Sequence, residues 1–148
     1  TGFAPTPAQL ANLGYELFDR QKRADLTIAQ PKDKLILGAR WQWDRFTVAG
    51  KVTRYGEYSE WSTVSRVVNG VVTYPNDRTY SAKWITDIDI AYDVTEDFTV
   101  AVGTNNLFDV YPDGIGVINT DTGLGRYGNF SPFGITGGYY YLRFSQSF

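Results

Sequence analysis

The chain has 148 residues, enough for one ordinary domain, and a net charge of -2 from 14 basic and 16 acidic side chains. It holds no Cys and no His, which excludes a thiol nucleophile, a His general base, a Cys/His zinc site and a disulfide framework. The charge balance offers no basic field to nucleic acid, and no apolar run approaches the ~20 residues of a membrane helix.

Residues 1–33 read differently from the rest. Thr1–Pro7 has neither the basic start nor the apolar core of a signal peptide. Thr6 as N-cap, Pro7 at the first helical position and Gly14 as the stop predict a short helix over Ala8–Leu13. Tyr15–Ala29 is mixed and charged, and Pro31-Lys32-Asp33 ends it.

From Lys34 onward the apolar period is two. Leu35, Leu37, Ala39, Trp41 and Trp43 alternate with Ile36, Gly38, Arg40 and Gln42. After a tight turn at Asp44-Arg45, Phe46, Val48, Gly50 and Val52 alternate with Thr47, Ala49, Lys51 and Thr53, running on towards Tyr58. The pattern returns at Trp84, Thr86, Ile88, Ile90 and Tyr92, with Ile85, Asp87, Asp89 and Ala91 between them. Val94–Asp97 is a second short turn, and Phe98, Val100 and Val102 lie beyond it. The last stretch alternates Tyr140, Leu142, Phe144, Gln146 and Phe148 with Tyr139, Tyr141, Arg143, Ser145 and Ser147. These five long strands predict an all-β fold in which residues 34–148 form an antiparallel sheet in meander order. Tight connections alternate with long ones at Ser59–Ser81 and Asn105–Thr136. Within the first, Val67-Val68-Asn69-Gly70-Val71-Val72 carries a type I′ hairpin signal.

Strands of about ten residues span a bilayer when tilted, and short turns alternating with long loops are the habit of outer-membrane barrels. Aromatics near the strand ends on the apolar side fit interfacial girdles, while Arg40, Gln42, Lys51, Asp87, Asp89 and Arg143 on the other side suit a watery lumen. A soluble β-sandwich or lipocalin-like barrel alternates in the same way.

Gly103-Thr104-Asn105-Asn106-Leu107-Phe108-Asp109-Val110-Tyr111-Pro112 resembles the N-N-L-F-D-x-x-P stretch that follows the penultimate barrel strand of TonB-dependent outer-membrane receptors. The ending, from Ser131-Pro132-Phe133-Gly134 through Gly138–Phe148, resembles their last strand, which carries the β-signal read by the barrel-assembly machinery. Pro31-Lys32-Asp33-Lys34 and Arg54-Tyr55-Gly56-Glu57 are similar to the family in a weaker way. The likeness covers about Leu17–Phe148. It implies a bacterial outer-membrane location and a transporter taking up a scarce solute, an iron–siderophore complex by default. It implies Tyr140, Leu142, Phe144 and Phe148 as assembly signal, and as partners outer-membrane lipid, the barrel-assembly machinery, a plug, and TonB acting through that plug. The resemblance implies a barrel of 22 strands closed around a plug, which would leave under about seven residues for each strand and connection in 148 residues. The chain is therefore expected to be the C-terminal wall segment of a larger barrel, with residues 1–33 as an outer loop. Neither a plug nor a TonB box is present in it.

No catalytic constellation is expected, and no cofactor. Asp87 and Asp89 share a face of one strand, whereas a glycosidase pair flanks its substrate from opposite sides of a cleft; ion pairing with Arg40, Lys51, Lys83 or Arg143 is the expectation. Asp109, Asp113 and Asp121 lack EF-hand spacing, so no metal site is expected, and Gly123-Leu124-Gly125 lacks the strand–turn–helix context of a dinucleotide loop. The loop aromatics Trp61, Tyr74, Tyr80, Tyr111, Tyr127 and Phe130 are the candidates for ligand contact, with loop packing as the alternative. Two other functions remain open from the sequence. A stand-alone eight-strand barrel would need further strands from Ala24–Gln30 and the Val67–Tyr74 hairpin. A soluble carbohydrate-binding module would use the Trp and Tyr faces.

Overall fold

The structure, a computed structural model, describes residues 18–116, 126–128 and 130–148. The helix expected over residues 8–13, Asp121 and the glycines of residues 123–125 lie outside the described residues.

One helix is described, α1 (Arg20–Thr27), where the sequence reading had no element. Asp19 caps it by accepting the Lys22 N–H at 2.8 Å, which satisfies one of the orphan donors of the first turn. Ala24 is the residue it buries. This helix occupies part of Ala24–Gln30, so that stretch does not supply the strand an eight-strand barrel would require. No described helix is long and apolar enough to cross a membrane.

The rest is antiparallel β-structure. Long strands β1 (Lys34–Trp43) and β2 (Phe46–Tyr55) are followed by short β3 (Tyr58–Glu60), β4 (Arg66–Val68), β5 (Val71–Thr73) and β6 (Arg78–Tyr80). Long strands β7 (Lys83–Asp93), β8 (Phe98–Asn105) and β9 (Tyr139–Gln146) complete the chain. The five long strands form one sheet in the order β1-β2-β7-β8-β9, the expected meander. Among the described residues no ladder joins β1 to β9, so the sheet is open with two unpaired edges.

One expectation for the first long connection needs correction. Strand β2 does not run on to Tyr58; it stops at Tyr55, where Gly56 N–H turns to donate to the Asp33 carbonyl at 2.9 Å. A Cβ at Gly56 would run into the Asp33 carboxylate, which would have to swing aside. Within the same connection β3 pairs with β6, the two strands flanking the valine hairpin in sequence. The hairpin itself forms as expected: Asn69 and Gly70 both have positive φ, at 51° and 78°, as a type I′ turn demands.

The ladders keep one register across all five strands. Leu37 sits opposite Val52, Gly50 opposite Ile88, Ile90 opposite Val102, and Val102 opposite Leu142. Directly opposed residues share a face, so Leu35, Leu37, Val48, Val52, Ile88, Ile90, Val100, Val102, Leu142 and Phe144 all lie on one side. Arg40, Gln42, Lys51, Asp87, Asp89 and Arg143 lie on the other. Near the tight turns the apolar face carries aromatic pairs: Trp41 with Trp43, Phe46 with Tyr92 at 4.6 Å, and Phe98 with Phe144. The turns are laced together, Asp93 N–H donating to Arg45 O and Ser147 N–H to Asp97 O, both at 2.9 Å.

On the polar face, Gly103 stands opposite Tyr141, whose ring crosses the place a Cβ would take. The ring thereby reaches β7, where its hydroxyl donates to Asp89 at 2.7 Å. A Gly103→Val substitution should force the ring off and break that bond, destabilising the sheet by about 1–3 kcal/mol. Denaturant unfolding compared with Tyr141→Phe checks this; a valine variant no less stable than the phenylalanine variant would refute it.

Candidate functional site

The polar side chains of the sheet are joined in pairs. Lys51 Nζ lies 2.9 Å from Asp87 across the β2–β7 ladder, and Arg143 lies 3.3 Å from Asp89, two strands away. Asp87 also accepts the Asn106 backbone N–H at 2.8 Å. Of the cations expected beside these carboxylates, Lys51 and Arg143 are there. Lys83 is not, because its ammonium goes to Asp113 at 2.5 Å, and Arg40 takes no part in the described ion pairs. With these three contacts and the Tyr141 hydroxyl, Asp87 and Asp89 tie the strands of the sheet together. The shallow hollow between them, about 160 Å³, is bordered by Lys51, Asn105 and Tyr141.

At the end of the sheet opposite the tight turns, α1 and the two long connections gather into a cap. Its interior is Tyr58, Tyr80 and Ile115, with the two tyrosine rings stacked at 4.6 Å. Burial, reinforced by the nearby Glu60 carboxylate, pushes both hydroxyls well above the ordinary tyrosine range, so both stay protonated. Tyr80 donates to Glu60 at 3.0 Å, and the other Glu60 oxygen accepts the Phe130 N–H at 3.1 Å. Arg20 stands between the faces of Trp61 and Tyr74, with its guanidinium carbon 4.4 and 3.8 Å from the ring centres. It also donates to the Ser62 carbonyl at 2.9 Å and forms a forked pair with Asp77. That bond to Asp77 raises the Arg20 pKa and lowers that of Asp77.

The six loop aromatics expected to contact a ligand are thus divided. Trp61 and Tyr74 hold Arg20, and Tyr111 and Tyr127 stack on each other at 5.7 Å. Tyr80 is 2% exposed and packs with Tyr58 and Ile115 inside the cap. Phe130 borders a sizeable groove, about 430 Å³, with Ala29, Lys34, Tyr55, Ser131 and Pro132 among its other walls. Phe133 packs on Tyr55 beside it at 5.5 Å.

The segments with family likeness meet in pairs. Asp33 pairs with Arg54 while Lys34 lies over the Tyr55 ring. In the second pair Asn106, at φ 55°, closes its own turn: its amide donates to Val110 O at 2.8 Å and accepts Val110 N–H at 2.9 Å. Asp109 then accepts the Gly138 N–H at 2.7 Å, and Tyr140 donates to Leu107 O at 3.3 Å. Of the residues expected to form an assembly signal, Tyr140, Leu142 and Phe144 lie on the apolar face in β9, and Phe148 follows the strand, fully exposed. Among the described residues no group of three or more acidic side chains could hold a metal ion. No family model, curated protein or solved structure matches the chain.

Arg20, Glu60, Asp77 and the capping role of Asp19 escaped the sequence reading. Asp19 ahead of Arg20–Thr27 was the available helix signal; nothing local marks Glu60. Asp113 had been considered only for a cation. Burial raises its pKa, but the Lys83 ammonium and two donors from Ser81, each at 2.6 Å, outweigh that and bring it to about 2. A carboxylate held below its unfolded value of ~3.9 stabilises the fold fully above about pH 4 and loses that contribution as pH falls through about 2. The Asp113 carboxyl carbon, followed by NMR, should titrate near 2; a midpoint near 4 would show the clasp to be unformed.

Proposed function

We propose that this chain is the C-terminal wall segment of a TonB-dependent outer-membrane transporter, taking part in energy-coupled uptake of a scarce solute, by default an iron–siderophore complex. The observation that carries this reading is the apolar face: continuous over five strands, unbroken by charge between Phe46 and Val52, and edged by aromatics. From Tyr92 to Trp84 along β7 is about 26 Å at ~3.3 Å per residue. Tilted by ~40°, that is about 20 Å, close to the ~25 Å apolar band of outer-membrane barrels. Leu35, Leu37, Trp41, Val102, Leu142 and Phe144 on this face are all exposed, as lipid-facing residues would be.

The two unpaired edges support a segment of a wider wall. Inside a bilayer each unpaired backbone group costs several kcal/mol, so β1 and β9 would need strands from the remainder of a barrel. The cap then lies at the outer mouth, with its groove beside Phe130 the best-placed surface for solute. In this reading the segment contributes wall, mouth and assembly signal. The plug and its coupling to TonB belong to the rest of the receptor.

Two substitutions on opposite faces test the membrane placement. Ile88→Arg should hinder membrane folding by ~2–4 kcal/mol if it sits near the midplane, whereas Ala49→Arg, on the polar face opposite Asp89, should be tolerated. Heat-modifiable migration of detergent-extracted protein reports the difference. Recovery of wild-type protein in the soluble fraction without detergent would overturn the reading. Deleting Phe148 should lower insertion while leaving export intact. Uptake of labelled ferric siderophore by cells should fall when the gene is deleted and when the proton gradient is dissipated.

A further inference from the structure

The two long connections are cross-tied at atoms that lie far apart in sequence. Glu60, on β3, holds the Tyr80 hydroxyl with one oxygen and the Phe130 amide with the other. Asp113, in the second connection, holds the Ser81 amide and hydroxyl and the Lys83 ammonium. Each carboxylate thus belongs to one connection while binding at least one donor of the other, and the side chains between them, Tyr58, Tyr80 and Ile115, form a buried cluster among the described residues. Gly128 lies so close to the Tyr80 hydroxyl and the Glu60 carboxylate that a Cβ would strike both. The middle of β3 is fastened to the C-cap of α1, Ser59 N–H donating to the Ile28 carbonyl at 2.9 Å.

We propose that the two connections are a single cooperative cap, locked by Glu60 and Asp113, in which loosening either carboxylate releases both. The groove is joined to this lock. Its wall at Phe130–Pro132 begins at the amide that Glu60 holds, so an occupant that shifts Phe130 pulls on the same carboxylate that fixes Tyr80 and, through the shared core, the Asp113 clasp. Coupling of this kind is reciprocal. The valine hairpin rises from the same connection between β3 and β6, so its base moves with the lock.

Amide hydrogen exchange on the full chain, purified with anything that copurifies, tests the idea at two reporters. Phe130 N–H is held by Glu60, and Ser81 N–H by Asp113. Glu60→Gln should speed exchange at Ser81 as well as Phe130, and Asp113→Asn should speed Phe130 as well as Ser81. Each increase should be about tenfold or more, the size expected from losing a hydrogen bond to a charged group. Amides of β8 should keep their wild-type rates. If each variant speeds only its own reporter, or neither, the cap is two independent loops and the proposal fails. Should Glu60→Gln also expose the β8 amides, Tyr80→Phe replaces it. That milder variant removes one hydroxyl, and a wild-type rate at Ser81 in it would equally refute the lock. These rates do not depend on whether the sheet sits in lipid, so their failure is distinct from failure of the transport reading.

Discussion

The ladder between β2 and β7 fixes the register on which the sheet depends. Strands β1 and β2 are a hairpin with a two-residue turn, and β7 and β8 are a second hairpin, so each of those pairings is local. Only β2–β7 joins them, across the whole first connection, with Lys51 opposite Asp87 and Gly50 opposite Ile88. A slip of one residue there would bring the apolar side of one hairpin onto the polar side of the other. The Lys51–Asp87 pair opposes that slip on the polar face, while the Phe46–Tyr92 contact opposes it on the apolar face.

From that register two surfaces with different physics follow. On one side apolar side chains such as Leu37, Val102 and Phe144 stay exposed among the described residues, and aromatic rings crowd towards the tight turns. On the other, charge is neutralised pair by pair, and Gly103 makes room for the Tyr141 ring to brace three strands. A soluble sandwich would bury its apolar face under a second sheet. The described residues instead place their only buried cluster at one end, under the cap.

The cap is built from carboxylates used as hubs. Asp77, Glu60, Asp113 and Asp109 each accept donors from segments distant in sequence, which satisfies loop amides that no regular ladder serves. Asn106 does the same work with a neutral side chain, closing a turn that would otherwise leave Val110 unpaired. The Asn-Asn-Leu-Phe-Asp stretch is therefore a folding device in its own right. It ends β8, ties back to Asp87 on β7 and reaches forward to Gly138 just ahead of β9.

Much of this was legible in the residues themselves. The period of two located all five long strands, and Asn69-Gly70 located the hairpin, because both signals are local: pleat geometry and positive φ act on neighbouring residues. The face to which Asp87 or Ile88 belongs was equally readable, since alternation alone assigns it. Which cation meets which carboxylate was not, for Lys83 turns away to Asp113 and only folding sets the distances. Nor was the fate of Tyr80, an aromatic like the other five until β3 and β6 bury it, or the role of Glu60, whose partners lie 20 and 70 residues away in the chain. The sequence by itself determined the strands, their faces and their tight turns. Tertiary structure alone decided the pairings across the long connections, because those depend on where loops of many residues return and no local periodicity encodes that.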